Sequence, residues 1–410
     1  MRIMHGSQAS SPTRQGLGPT FHEQARRFAA FGAPSVEAED AGIPYVINAF
    51  WTAAQRQASP LHEVSYRACF KPQLPAFFIT RLTAPGDRVH DPFMGRGTTP
   101  LEAALLGRTP VGSDVNPLSV LLTRPRLRAP SLPEIARALG EIPWAEGRIG
   151  RDDLLAFYSP GTLRQIGALR AYLREHAPLD GAPDPALDWI RMVALNRLTG
   201  HSPGFFSVYT LPPNQAVSVA SQRRINARRG QTPPDRDVPA IILKKSRQLL
   251  ADGSPCAPGA LLRTAPAHGT PDIATGSVAL VVTSPPFLDV VQYAEDNWLR
   301  CWFAGIDGEG IDISQHRTEA AWQRMVRAVL VELARVLRPG GHLAFEVGEV
   351  RGGRVLLERL VWDAAEGLPF DRLFVMVNRQ AFTKTARCWG VSNNARGTNT
   401  NRIVLLRRSA

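Results

Sequence analysis

The feature that most constrains this chain is a run of about thirty residues that switches from strand to helix and back. DRVHDPF predicts a short strand ending at Asp91. TTPLEAALLG predicts a helix with Gly107 as its C-cap, and RTPVGSDVNP predicts a second strand ending at Asp114. Parallel strands need a long crossover, and a helix supplies it, so strand–helix–strand at this spacing is the βαβ signature of a parallel sheet.

The same alternation returns near the C-terminus. SVALVVTSPPF is an apolar strand running into a Pro-Pro corner. AAWQRMVRAVLVELARVLRPGG is a long amphipathic helix stopped by Pro-Gly-Gly, and HLAFEVGEV is a strand. GRVLLERLVWDAAEG is a helix, and RLFVMVN and NRIVLLR are the last two strands. Residues 125–270 interrupt the pattern. They are rich in Pro, Gly and Arg, and their periodic pieces (GTLRQIGALRAYLRE, PALDWIRMVALNRL, PAIILKKSRQLL) read as helices. At the front, residues 1–20 read as a polar leader, and 21–60 as short helices (HEQARRFAAF, VINAFWTAAQRQ).

Two stretches carry chemistry. The first is His90–Thr99, with Gly95 and Gly97 between the strand and the helix start. Glycines there let the backbone turn sharply and approach a ligand. Asp114, seventeen residues after Gly97, closes the next strand, where a carboxylate can accept hydrogen bonds from ribose hydroxyls. A nucleoside-containing cofactor over the sheet's carboxyl edge is implied. A lone GxG is also met in plain tight turns. Pro100 stands where a dinucleotide fold usually has its third glycine, and no GK[ST] run marks a phosphate loop.

The second stretch is Thr283-Ser284-Pro285-Pro286-Phe287. Prolines fix φ and lack N–H donors, so two after a strand make a rigid corner that presents carbonyls and a hydroxyl. That suits a planar nitrogen base: Phe287 can stack on it, while Ser284 and a backbone carbonyl accept from an exocyclic amine. The bland alternative is a surface turn.

DPFMGRGTT and TSPPF together resemble the cofactor and catalytic motifs of amino-group DNA methyltransferases that use S-adenosylmethionine, whose usual forms are DPFxGSGTT and TSPPY. The Ser-Pro-Pro version is similar to the cytosine-N4 branch; adenine-N6 enzymes more often carry Asp-Pro-Pro-Tyr. CFKPQLPAFFITRLTAPGD resembles the family segment that packs over the methionine end of the cofactor, and RVLRPGGHLAFEVGEVR resembles the helix and strand after the catalytic motif. The resemblance covers about 61–124 and 276–407. Departures are Phe287 for the common Tyr, Arg96 for a usual Ser, Ala279 for a frequent Asp, and RTAPAHGTPD in place of acidic Gly-Asp-Ala text.

The resemblance implies a doubly wound α/β fold of the Rossmann-like, class I methyltransferase kind. Its sheet would have seven mostly parallel strands and a final antiparallel hairpin. It implies four segments: a leader and helical part (1–60), a cofactor-binding half (61–124), a mainly helical inserted target-recognition region (125–270) and a catalytic half (271–410). Cofactor contacts fall on Phe70, Lys71, Asp91, Phe93, Gly95, Gly97, Thr98, Thr99, Asp114 and Asn116, and catalysis on Ser284, Pro285, Pro286 and Phe287. Double-stranded DNA is the implied partner, with a cognate restriction nuclease if the chain serves a modification system. A base within a duplex cannot reach the cofactor, so the target must be flipped.

Charge agrees with a polyanionic partner, since 48 Lys and Arg face 36 Asp and Glu, a net +12. Arg223, Arg224, Arg228, Arg229, Lys244 and Lys245 lie in a basic stretch, 221–247, suited to phosphate contact or simply to a solvated helical face. The polar loop before the last strand adds Lys384, Arg387 and Trp389, expected to overhang the cleft. The four cysteines form no CxxC pair, and no histidine cluster has metal spacing, so neither a disulfide framework nor a metal is expected. Cys256, after Pro255, echoes cytosine-C5 enzymes but follows no apolar strand and reads as a loop residue. No run of about 18 apolar residues predicts a membrane span, and a cytoplasmic, nucleoid-associated location is expected. Alternatives left open are adenine-N6 DNA methylation, transfer-RNA guanine-N2 methylation, and a catalytically inactive DNA- or cofactor-binding relative.

Overall fold

The computed structural model describes residues 20–51, 58–66, 69–211, 216–288, 293–311, 316–350, 354–379 and 400–410. In chain order the strands are β1 Val36–Asp40, β2 Ile43–Asn48, β3 Arg88–Asp91, β4 Thr109–Asp114, β5 Leu261–Thr264, β6 Val278–Thr283, β7 Leu337–Val347, β8 Glu349–Val350, β9 Val355–Leu356, β10 Phe370–Arg379 and β11 Thr400–Arg408. The helices are α1 Phe21–Arg26, α2 Gln73–Leu82, α3 Thr98–Leu105, α4 Pro117–Leu127, α5 Leu132–Gly140, α6 Pro160–His176, α7 Pro185–Arg197, α8 Val219–Arg229, α9 Val238–Leu249, α10 Tyr293–Ala304, α11 Glu319–Val336 and α12 Leu357–Ala364.

One sheet organises the molecule, in the order β1-β2-β10-β11-β7-β6-β3-β4-β5. Strands β5, β4, β3, β6 and β7 are mutually parallel, and β11 runs antiparallel to both β7 and β10. Helices cover both faces. On one, α11 and α12 pack on Val281, Leu343 and Phe345; on the other, α2 and α3 pack on Val89, Leu280 and Val282. This is the doubly wound, Rossmann-like arrangement. Strand β6, VALVVT, is buried at every position, as a central parallel strand covered on both faces must be.

The sheet has nine strands where the resemblance implies seven. The additional pair is the β1–β2 hairpin, with β2 parallel to β10. Taken alone, the sequence predicts VINAF to be part of a helix, but Ile43–Asn48 forms β2, with Ile43, Tyr45 and Val46 buried. Short apolar runs look alike in buried strands and helices, and β-branched residues tip this one to strand because it finds an edge to pair with. Asn378 on β10 secures the junction, its Oδ1 accepting from the Phe50 and Trp51 N–H groups at 2.7 and 3.2 Å. Strand β5, inside the stretch read as an insertion, completes the opposite edge by pairing with β4.

Helices α5, α6, α7 and α9 share a core with α4 and α10. Every residue of α7 from Leu187 to Arg197 is buried, so this helix is the centre of that layer. No described helix is long and apolar enough to cross a membrane. Asn378→Ala orphans two buried N–H groups, each costing about 1–3 kcal/mol. The expected outcome, read by urea unfolding, is a loss of several kcal/mol of stability.

Candidate functional site

Strand β3 lies between β4 and β6, parallel to both, with Asp91 opposite Gly112 and His90 opposite Val281. The ends of all three strands therefore meet at one edge. There Thr283 Oγ1 donates to Asp91 Oδ1 at 2.6 Å, the Phe93 N–H donates to the same oxygen at 3.1 Å, and Thr99 Oγ1 donates to the Val282 carbonyl at 3.1 Å. The glycine loop and the Pro-Pro corner are thus joined by hydrogen bonds. Both line one cavity of about 580 Å³, a size suited to a nucleoside-bearing ligand.

The loop geometry is specific. Gly97 has φ 76°, and a Cβ there would collide with the Thr123 side chain on α4. The Gly95 N–H donates to Asp114 Oδ2 at 2.9 Å, and the Asn116 N–H donates to Asp114 Oδ1 at 2.9 Å. Asp114 also lines the cavity, where a carboxylate oxygen suits a ribose hydroxyl. Burial raises the Asp114 pKa, and these hydrogen bonds oppose the shift. Asn116 also caps α4, accepting from the Leu118 N–H at 3.0 Å. One wall, with Tyr66, Cys69 and Phe70, is held through its neighbouring backbone by arginines. Arg96 donates to Thr98 Oγ1 and to the Val64 and Phe70 carbonyls at 3.1, 2.9 and 3.2 Å. Fully buried Arg126 donates to the Leu61, Leu122 and Arg96 carbonyls.

At the corner, Ser284 and Pro286 line the cavity and Pro285 is buried. The Ser284 hydroxyl is hydrogen-bonded to Glu346, a buried carboxyl on β7 that also accepts from Asn401 Nδ2 at 2.9 Å. Burial raises the Glu346 pKa. The Trp322 indole N–H on α11 donates to the Pro286 carbonyl at 2.9 Å and braces the corner. Sequence reasoning missed Glu346 and Trp322. The signal for Glu346 was an acid inside the apolar strand HLAFEV.

Of the sequence-predicted residues, Phe70, Asp91, Phe93, Gly95, Thr98, Asp114, Asn116, Ser284 and Pro286 line this cavity. Thr99 and Gly97 shape it from beneath through the contacts above. Lys71 is exposed just before α2, and Phe287 packs partly against the sheet core. Arg223, Arg224, Arg228 and Arg229 are all exposed on α8, and Arg229 stacks over Tyr209 at 3.8 Å. Lys244 is exposed on α9, but Lys245 turns inward, 6% exposed, with its Nζ 2.6 Å from Glu63. Lys384, Arg387 and Trp389 lie outside the described residues. Cys256 is an exposed loop residue.

The fold and cavity define a doubly wound α/β protein with a ligand site where the strand order reverses. Residues 38–122 match the N6_N4_Mtase family, described as DNA methylase. The chain is 32% identical over 74 residues to the Type II methyltransferase M.MjaII of Methanocaldococcus jannaschii, a match spanning 18% of this chain and 14% of that protein. The resemblance to amino-group DNA methyltransferases holds on these matches, which do not separate the N4 from the N6 branch. Among solved structures, TTHA0409 of Thermus thermophilus, complexed with S-adenosyl-L-methionine, is 23% identical over 33% of this chain and 50% of its own, with a TM-score of 0.21. A SAM-dependent methyltransferase of Methanosarcina mazei is 10% identical over 81% of this chain and 97% of its own, with a TM-score of 0.33.

Asp91 gives this site a pH signature. Burial pushes its pKa up from 3.8 to about 7, against the hydrogen bonds from the Thr283 hydroxyl and the Phe93 N–H. The folded protein then holds a proton that the unfolded chain releases. The stabilisation from this group is complete below pH 3.8 and is lost as pH rises towards about 7. Asp91→Asn keeps an acceptor oxygen for Thr283 and Phe93 without the charge. Melting temperatures measured from about pH 4 to 8, the range that brackets this titration, should fall less steeply for this variant than for the unsubstituted chain.

Proposed function

We propose that the chain is an S-adenosylmethionine-dependent DNA methyltransferase acting on an exocyclic amine of a flipped base, cytosine N4 ahead of adenine N6. The observation that carries this reading is the shared cavity, lined by both the glycine loop and the Ser-Pro corner. The family match over 38–122 supports the cofactor side. Double-stranded DNA is the substrate on this reading, and a nuclease cutting the unmodified site would be the partner in a modification system.

The residues present suit the cofactor. Asp114 accepts from its ribose hydroxyls, Gly95 and Gly97 keep the loop clear of side chains, and Phe70 and Phe93 give apolar walls. When bound, S-adenosylmethionine supplies a methyl group made electrophilic by its sulfonium. The protein's task is then to place the base amine and enrich its lone pair. Ser284 donates its own hydroxyl proton to Glu346, so its oxygen faces the cavity as an acceptor. One amine proton bonds to Ser284 and the other to the Pro285 carbonyl, since the Pro286 carbonyl is engaged by Trp322. These bonds localise the nitrogen lone pair for in-line attack. Glu346, reached through Ser284, accepts the proton the amine sheds. Serine in place of the aspartate common in adenine enzymes supports cytosine.

Ser284→Ala should lower methyl transfer about 10²–10³-fold, in the range for losing one oriented polar group at a reacting centre. Cofactor affinity by calorimetry should be unchanged. Asp114→Ala should instead weaken the cofactor about ten- to hundredfold, the cost of losing hydrogen bonds to a charged acceptor. DNA modified by the chain, digested and weighed as nucleosides, should yield N4-methylcytosine. N6-methyladenine would move the assignment to the other branch, and full turnover by Ser284→Ala would remove the corner from the mechanism.

A further inference from the structure

A second cavity, of about 490 Å³, lies between α6, the segment 147–150 and the end of α10. Arg148, Arg170, Arg174 and Trp302 line it, with Glu175 as the one carboxylate on its wall. None of these arginines forms an ion pair with Glu175 or with any other described residue. Arg170 and Arg174 are one helical turn apart, so two like charges share a face of α6, an arrangement that by itself weakens a helix. Burial and the neighbouring Arg174 both lower the Arg170 pKa.

The crowding is built in. A Cβ on Gly167 would collide with the Arg148 carbonyl, and one on Gly147 with the Arg164 carbonyl. Only glycine at these positions lets segment 147–150 lie flat on α6 and bring Arg148 beside the other two. Arg170 is further fixed by α10, donating from Nε to the Trp302 carbonyl at 2.9 Å and stacking over its indole at 5.2 Å.

This cluster is continuous with the arginines of α8. Trp298 and Trp302 are also one turn apart and share a face of α10. Arg151 stacks over Trp298 at 5.4 Å and pairs with Asp153, whose carboxyl also feels the charge of Arg223 on α8. The Trp298 indole donates to the Val217 carbonyl at 3.3 Å, at the entry to α8. A cationic line therefore runs from α8 along α10, the first described helix after the Ser-Pro corner, to the second cavity.

Resting on the DNA reading above, we infer that the Arg148–Arg170–Arg174 cavity binds a backbone phosphate of the substrate DNA, as the far end of a track that begins at α8. Unneutralised guanidinium groups around a cavity suit a phosphodiester, which accepts their donors and removes their mutual repulsion. Such a contact positions the duplex without reading its sequence.

The test is the salt dependence of duplex binding, read by fluorescence anisotropy over a series of KCl concentrations. Each phosphate contact contributes about 0.9 to the slope of log K against log salt. Arg148→Gln and Arg174→Gln should each reduce the slope by part of that amount, and the double variant, which gives up the one phosphate, by about 0.9. Arg174→Lys should keep most of the slope, which separates charge from packing. Arg88→Gln, at the opposite end of β3, should leave it unchanged. Salt-dependent binding by the unsubstituted chain with an unaltered slope in the double variant would overturn this inference and leave the DNA reading standing. No binding by the unsubstituted chain would overturn the DNA reading itself.

Discussion

Everything at this site depends on β3 having parallel neighbours on both sides. A parallel pair brings like ends together, so β3 between β4 and β6 sets Asp91, Asp114 and Thr283 along one edge. From β3 the chain winds outward through β4, and it later returns on the other side through β6 and β7. Right-handed crossovers in opposite directions leave a crevice at such a point, because the connecting helices fall on opposite faces. The Thr283–Asp91 hydrogen bond spans that crevice at 2.6 Å. It ties the glycine loop to the Pro-Pro corner, so neither can shift alone.

The crevice needs walls as well as a floor, and here the chain relies on arginine. Residues 60–66 contain a single short 3-10 turn, Pro60–His62, so their backbone carbonyls have few regular partners. Arg96, Arg126 and Arg300 supply them, the last donating to the Ser65 carbonyl at 2.6 Å. A guanidinium offers five donors in a fixed plane, which is why one side chain can bridge carbonyls from separate segments. Arg96 in place of the family's usual serine is thereby explained. It reaches from the glycine loop to the wall, which serine is too short to do. Burying Arg126 has a cost, visible in a pKa lowered to about 9, and its three carbonyl partners offset it.

What the sequence disclosed follows from how local each signal is. The strand–helix–strand around Gly97 could be read because each boundary had its own marker: Asp91, Gly107 and Asp114. The apolar run of β6 could be read because central parallel strands carry no polar face. Strand β2 was not legible, since whether IPYVIN pairs depends on β10, more than 300 residues away. Lys245 belonged by composition to a basic run, but its direction is set by Glu63 from another segment. Glu346 was hidden for a similar reason: its importance lies in facing Ser284 from the neighbouring strand. Motifs and periodicity are written in the chain, whereas partnerships across the sheet arise only on folding.

The distribution of charge follows from the same layout. At the corner, among the described residues, the arrangement is rigid and almost free of positive charge: two prolines, a hydroxyl, an indole and a buried carboxyl. A cation there would compete with the amine for the acceptors that enrich its lone pair. The cations sit instead on the helical layer, on α8 and around the end of α10, where a duplex backbone would pass. Extracting a base costs a few kcal/mol of stacking, and phosphate contacts away from the reacting atom can offset that cost without disturbing the acceptors. Because α10 both carries Trp298 and Trp302 and follows the corner in sequence, a shift of bound DNA along the cationic line would act on the segment leading back to Ser284. On the proposed reading, that covalent link would couple where the duplex is held to how the target amine is presented.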